Sequence, residues 1–259
     1  MLRIRSVYSE QPLQCANRIA PNSTRQWTSG KLDTKNKVSF TWSGQQTYWG
    51  SYAGQAPTGR KRALLADPAV AGGLGLSSNA SSSSRGTCGR IVVESRMKLP
   101  VAAGRWSALW MMPLPRPCPQ GVKAAECGAF GVWPRSGEID IVEQVNTDAE
   151  VLGTIHFADA GGNHRYTGDK LALSETALLD WNIFQLVWNC TSIGWYVNSQ
   201  QINQVTKQDL GDAVWPFDEP FFLILNTAIG GWLTGNVAPD KGQTRPLMVD
   251  YVRVYAAPS

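Results

Sequence analysis

Charge, histidine and helix-forming runs are all scarce in this chain of 259 residues. Asp, Glu, Lys and Arg together make up only 17% of it, and the formal net charge is +4. The cations are dispersed. Arg60-Lys61-Arg62 is the one tight cluster and reads as a solvated loop, so no nucleic-acid partner is expected. There are two His, and none of the five Cys sits in a C-x-x-C pair. The donors of a zinc site are therefore not at hand, and no metal or cofactor is expected. No run of 18 apolar residues exists, so no membrane-spanning helix is expected. Met1-Leu2-Arg3-Ile4-Arg5 leads straight into strand-like alternation, with no apolar core of a secretory signal.

Cysteine pairing is left open by the count. Cys15, Cys88, Cys118, Cys127 and Cys190 are odd in number, so at least one thiol stays free or pairs elsewhere. Cys118 and Cys127 bracket a short loop and are placed to pair. Three N-x-S/T sequons, at Asn22, Asn79 and Asn189, are compatible with an extracellular protein.

What the chain does have is tryptophan, eleven in all, and period-two patterning. Such tryptophans serve as core or as stacking platforms for sugar rings. Ile91, Val93, Met97 and Leu99 alternate with Val92, Glu94, Arg96 and Lys98. Phe184, Leu186 and Trp188 alternate, as do Phe221, Leu223 and Leu225. Val249, Tyr251, Arg253 and Tyr255 oppose Met248, Asp250, Val252 and Val254. These are strands of stacked sheets, separated by Gly, Pro, Asn and Asp clusters. The one helix signal is a short turn near Ser174 to Leu179, with Ser174 as cap. Many strands without helices between them predict an all-β, jelly-roll sandwich of two antiparallel sheets in a single domain over 1–259. Residues 43–86 break the pattern. Their Gly, Ala, Ser and Pro content cannot bury a core, which predicts a disordered insertion.

Glu138, Asp140 and Glu143 lie together in one short apolar run. In a strand, side chains 138 and 140 share a face. Glu143 points the other way unless a β-bulge falls between Asp140 and Glu143 and adds one residue. Ile139, Ile141 and Val142 supply the buried side. Three like charges on one face repel, so structure alone gives little reason for them. An acidic edge strand or a metal-binding patch is the plain alternative for an E-x-D-x-x-E taken by itself. Glycoside hydrolysis does need such a set, because it uses one ionised and one protonated carboxyl close together.

The segment from Trp133 to Glu143 resembles the active-site strand of glycoside hydrolase family 16, in the laminarinase form that carries the bulge. Other stretches resemble the family in order: Cys88-Gly89-Arg90, Gly104-Arg105-Trp106 to Pro113, His156-Phe157, Pro216 to Asn226, Gly230-Gly231-Trp232 and Val249 to Tyr255. The resemblance covers about residues 1–42 and 88–256. It implies a concanavalin A-like sandwich with a concave cleft and retaining endo-hydrolysis of β-1,3-glucosidic bonds in β-glucans, mixed 1,3/1,4 linkages among them. Relatives that act on another β-glycan, such as a galactan, and non-catalytic glucan-binding modules on the same fold are the alternatives.

By that resemblance Glu138 is the nucleophile, Glu143 the general acid/base, and Asp140 the residue that tunes them. Trp106, Trp133 and His156 fall on cleft positions, with Asn226 and Trp232 in reach of substrate. Trp110 fits core and cleft equally. Arg90 either touches sugar hydroxyls or pairs with a strand carboxylate. Trp181, Trp188 and Trp195 are expected in the core. The family usually begins with further strands, so N-terminal strands are expected to be missing. The family's location implies an extracellular protein, its partner a β-glucan, acting as a monomer.

Overall fold

The alternation of large apolar with polar side chains is what turns these segments into strands, since each can bury one face and wet the other. A computed structural model describes residues 2–4, 7–15, 23–28, 30–33, 89–118, 120–122, 127–235, 237–238 and 245–257. The predicted insertion at 43–86 lies outside the described residues, as do Asn22, Asn79 and Cys88.

Among the described residues, two six-stranded sheets carry the fold. The strands in chain order are β1 (Leu2–Ile4), β2 (Val7–Cys15), β3 (Ser23–Thr28), β4 (Gly30–Asp33), β5 (Arg90–Lys98), β6 (Arg105–Pro113) and β7 (Glu138–Val145). They continue with β8 (Glu150–Ala158), β9 (His164–Ala172), β10 (Asn182–Asn189), β11 (Ser192–Val197), β12 (Gln200–Thr206), β13 (Phe221–Ile229) and β14 (Leu247–Ala257). One sheet runs β1-β14-β5-β10-β11-β12 and the other β4-β13-β6-β7-β8-β9, while β2 and β3 form a separate hairpin. Every pairing among the described strands is antiparallel. The short helix α1 (Glu175–Leu178) begins where expected, with the Ser174 hydroxyl accepting from Ala177 N–H.

The core lies between the two sheets. Val93, Met97, Phe184, Leu186, Trp188 and Trp195 from the first meet Leu109, Met111, Ile139, Ile155, Phe221 and Leu225 from the second. Buried indoles spend their N–H groups across this layer. Trp188 Nε1 donates to the Phe217 carbonyl at 2.7 Å, and Trp195 Nε1 to the Asp140 carbonyl at 2.8 Å. Trp181 departs from the expectation of a core residue. It lies partly exposed under the cations of Arg96 and Lys98, 4.7 and 5.1 Å from its ring. The reason is that its chain position, just ahead of β10, is off the inward row of Asn182, Phe184 and Leu186.

Plain alternation also fails in β14. A bulge between Val249 and Tyr251 leaves Asp250 unpaired in the ladder and switches the inward row. Val249 faces the core, then Val252 and Val254 take over. Tyr251 turns outward and donates to buried Glu94 at 2.9 Å, and Asp250 pairs with Arg96 at 2.8 Å. Cys118 and Cys127 form the disulfide that their spacing allowed. Cys190 is also disulfide-bonded.

Candidate active site

The expected bulge is present in β7. Asp140 pairs with Thr154 and Glu143 with Leu152, so two residues lie between the carboxylates on β7 where only Gly153 lies between their partners. On the other side Leu109 pairs with Val142 and Trp110 with Asp140, which leaves Ile141 as the extra residue. Ile141 and Val142 are both buried. Glu143 is thereby returned to the face of Glu138 and Asp140.

Two packing details hold this strand in place. Gly137 has φ 77°, and a Cβ there would stand 2.8 Å from Phe217 Cε1 and 2.9 Å from Pro216 Cγ. Only glycine lets the chain enter β7 at that angle. Gly153, beside the bulge on β8, leaves room for Trp195, since a Cβ there would lie 2.4 Å from its Cδ1. Trp195 reaches through that gap to the Asp140 carbonyl.

Each glutamate has an indole donor. Trp133 Nε1 donates to Glu138 Oε2 at 2.6 Å, and Trp106 Nε1 to Glu143 Oε1 at 2.7 Å. The neighbouring aromatics follow from register. Trp106, Ala108 and Trp110 lie on one face of β6, opposite Ala228, Asn226 and Ile224 of β13. Trp232 stands edge-on to Trp106 at 6.0 Å and is 76% exposed. Trp110, which the sequence left between core and cleft, faces outward and donates to Asn226 Oδ1 at 2.6 Å. A cavity of ≈ 250 Å³ opens beside it, lined by Trp110, Trp133, Ser136, Cys127, Phe222 and Ile224.

On the other flank, β8 and β9 bring in imidazoles. His156 is directly opposite Glu138, and its Nε2 lies 3.0 Å from Asp140 Oδ2. No hydrogen-bond donor among the described residues is aligned on Oδ2, so the two groups are in close polar contact. His156 Nδ1 lies 2.8 Å from His164 Nε2, and the two rings stack at 5.1 Å and 22°. His164 also packs 4.7 Å from the Trp133 ring, with Tyr166 at 6.0 Å. His164 and Tyr166 were missed in the sequence. Strand β9 is exposed along most of its length, so it shows no apolar alternation. The one available signal was spacing: the chain's only other histidine stands two residues from Tyr166, hence on its face.

Arg90 is the one candidate that the structure does not bring to this site. It starts β5, in the opposite sheet, paired with Asn189 and Ala257. The Gly-Arg pair follows the fold's strand order, and its side chain belongs to the far layer.

Electrostatics at the carboxylates is dominated by burial, which disfavours the charged form. Glu138 is pushed up to about 8, first by burial and then by the negative charge of Asp140, against His156 and the Trp133 hydrogen bond. Asp140 is fully enclosed and held well above the usual carboxylate range by burial and by Glu143, against a hydrogen bond with Glu138. Glu143 is raised by burial, against the Trp106 hydrogen bond and His156. The three therefore share protons that isolated carboxyls would have lost at neutral pH. Glu138, Asp140 and His156 also place one donor atom each within 4.8 Å of one another, which is close enough to hold a metal ion.

Comparison with known proteins points the same way. The sequence model of Glycosyl hydrolases family 16 matches residues 22–253. The keratan-sulfate endo-1,4-beta-galactosidase of Sphingobacterium multivorum is 34% identical over 92% of this chain and 54% of its own length. The glucan endo-1,3-beta-glucosidase A1 of Niallia circulans is 35% identical over 63% of this chain and 24% of its own. The chain thus spans about half the length, or less, of these curated relatives. Among solved structures, the endo-beta-1,3-glucanase of Pyrococcus furiosus superposes with a TM-score of 0.63 at 26% identity, covering 99% of this chain and 74% of that one. The laminarinase catalytic domain of Thermotoga petrophila gives 0.62 at 26% identity, over 100% and 77%.

Proposed function

Because this chain belongs to glycosyl hydrolases family 16, we propose that it cleaves internal β-1,3-glucosidic bonds of β-glucans with retention of configuration. The observation that carries the proposal is the bulged strand β7, which sets Glu138, Asp140 and Glu143 on one face with an indole donor at each end. Glu138 attacks the anomeric carbon while Glu143 protonates the leaving oxygen, and Glu143 then activates the water that releases the glycosyl-enzyme. Asp140 supports this by holding the shared proton. With that proton on Asp140, the negative charge that is the second cause of the raised Glu138 pKa disappears, which leaves burial as the main opposition to its ionisation. Trp106 and Trp232 on one side and Trp133 on the other offer flat faces to sugar rings. The reading carries with it an extracellular monomer, which size-exclusion chromatography and localisation of the tagged chain would check.

The test is release of reducing ends from laminarin, beside Glu138→Gln as control, with the first-formed anomer followed by proton NMR. Activity lost in the control and β-anomer formed first support the proposal. The α-anomer formed first would rule out retention. A second reading has its own observation: the keratan-sulfate endo-galactosidase matches 92% of the chain, against 63% for the glucanase. Digestion of keratan sulfate in parallel decides between them, since turnover there and none on laminarin moves the substrate to a β-galactoside. A folded chain that binds laminarin and turns over neither polymer is a binding module.

A further inference from the structure

His164 lies outside the carboxylate strand, yet it touches both things that reach the carboxylates. Its ring packs on Trp133, whose indole donates to Glu138, and its Nε2 lies 2.8 Å from His156 Nδ1. A 2.8 Å separation between two imidazole nitrogens requires that one carry a proton and the other a lone pair. His164 is the more exposed ring. The arrangement in which His164 Nε2–H donates makes His156 Nδ1 the acceptor and puts the His156 proton on Nε2, 3.0 Å from Asp140 Oδ2. Asp140 Oδ2 is buried with no aligned hydrogen-bond donor among the described residues, and Glu138 shares the strand face of Asp140. A proton on Nε2, only 3.0 Å from Oδ2, leaves no room for a second proton between the two atoms and so favours Asp140's own proton on Oδ1.

We propose that His164 is a positioning residue for the reaction: it fixes the tautomer of His156 and so directs the proton of Asp140 toward Glu138. This rests on the reading of Glu138 as nucleophile. Removal of the His164 donor lets the His156 proton move to Nδ1. The bare Nε2 then draws the Asp140 proton to Oδ2 and away from Glu138, so no atom is gained or lost and only the proton's position changes. The other groups facing the pair are Glu138 and Glu143 on β7 and Tyr166 on β9. Nearby stand Asp159 at the turn between β8 and β9, Arg165 at the start of β9, and the Arg135 guanidinium, which lies against Gly162.

The test uses two variants and two readouts. His164→Phe keeps a flat ring on Trp133 but has no donor, whereas His164→Gln returns an N–H. The chain has only two His, so long-range proton–nitrogen NMR of the imidazoles reads His156 without substrate. The expected result is an Nε2–H tautomer in the parent, a mixture in His164→Phe, and recovery in His164→Gln. On laminarin, His164→Phe should lower kcat about tenfold with KM within about twofold, and should raise the acid limb of kcat/KM by ~0.5 pH unit or more. A parent His156 that is Nδ1–H or doubly protonated at neutral pH overturns the proposal. So does a pH profile of His164→Phe that superimposes on the parent's. Absence of any turnover in the parent would instead defeat the glucanase reading, while the NMR result still decides the tautomer.

Discussion

At the scale of single residues, the site turns on how three carboxyls divide their protons. Glu138→Gln removes the attacking group, and kcat on the true substrate should fall by about 1,000-fold or more with the fold intact. Asp140→Asn keeps a hydrogen-bonding amide but no exchangeable acid proton, so kcat should fall by a smaller factor, on the order of 10–100-fold. Stability carries an independent signature. Glu138 has its folded-state pKa raised from 4.5 to about 8, by burial first and Asp140 second. The folded chain therefore holds that proton more tightly than the unfolded one. The stabilisation is fully present below pH 4.5 and is lost as pH rises through about 8. The melting temperature should accordingly drop across this window. Glu138→Gln, which never ionises, should drop less. The difference should be a few kcal/mol at most, because a tenfold change in proton affinity is worth about 1.4 kcal/mol. Parallel melting curves for parent and variant from pH 5 to 9 would refute this if both fell together.

At the scale of elements, the bulge in β7 is held from the opposite sheet. Trp195 crosses the core layer, fills the space left by Gly153 and donates to the Asp140 carbonyl. Gly153→Ala would press on that indole, with a Cβ only 2.4 Å from it. Overpacking of this kind costs about 1–3 kcal/mol. Because the displaced indole is bonded to the catalytic strand, kcat should fall together with the denaturation midpoint. Trp195→Phe separates the two causes, since it gives up a hydrogen bond worth about 1 kcal/mol without crowding the glycine. Unchanged kcat in both variants would show that the bulge needs no support from Trp195. Aromatics are arranged by the same logic of register. Trp106 and Trp110 share a face because they are four residues apart on β6, and His156 meets Tyr166 because β8 and β9 pair there.

At the scale of the whole molecule, ligand binding should stabilise the folded chain by mass action. In Glu138→Gln, an oligosaccharide of the β-1,3-glucan series at 100 times its Kd should add about 2.7 kcal/mol and raise the melting temperature by several degrees. A keratan-sulfate oligosaccharide that gives the larger rise would favour the galactoside reading. What the sequence determined by itself is the part governed by local pattern. Alternation of apolar and polar residues gave the sandwich and Ser174 a cap for α1, while period two put Glu143 on the face of Glu138 and Asp140 only with a bulge, which the family resemblance implied. Tertiary structure decided what pattern cannot encode. The switch of face at Asp250, the outward Trp181 and the placement of Arg90 in the opposite sheet all depend on which strands become neighbours. His164 joined the site only when β9 paired with β8, because a largely exposed edge strand buries too little of either face to leave an apolar period to read. The raised proton affinity of the carboxyls has the same origin: charge is written in the sequence, but the burial that opposes it exists only once the sheets have packed.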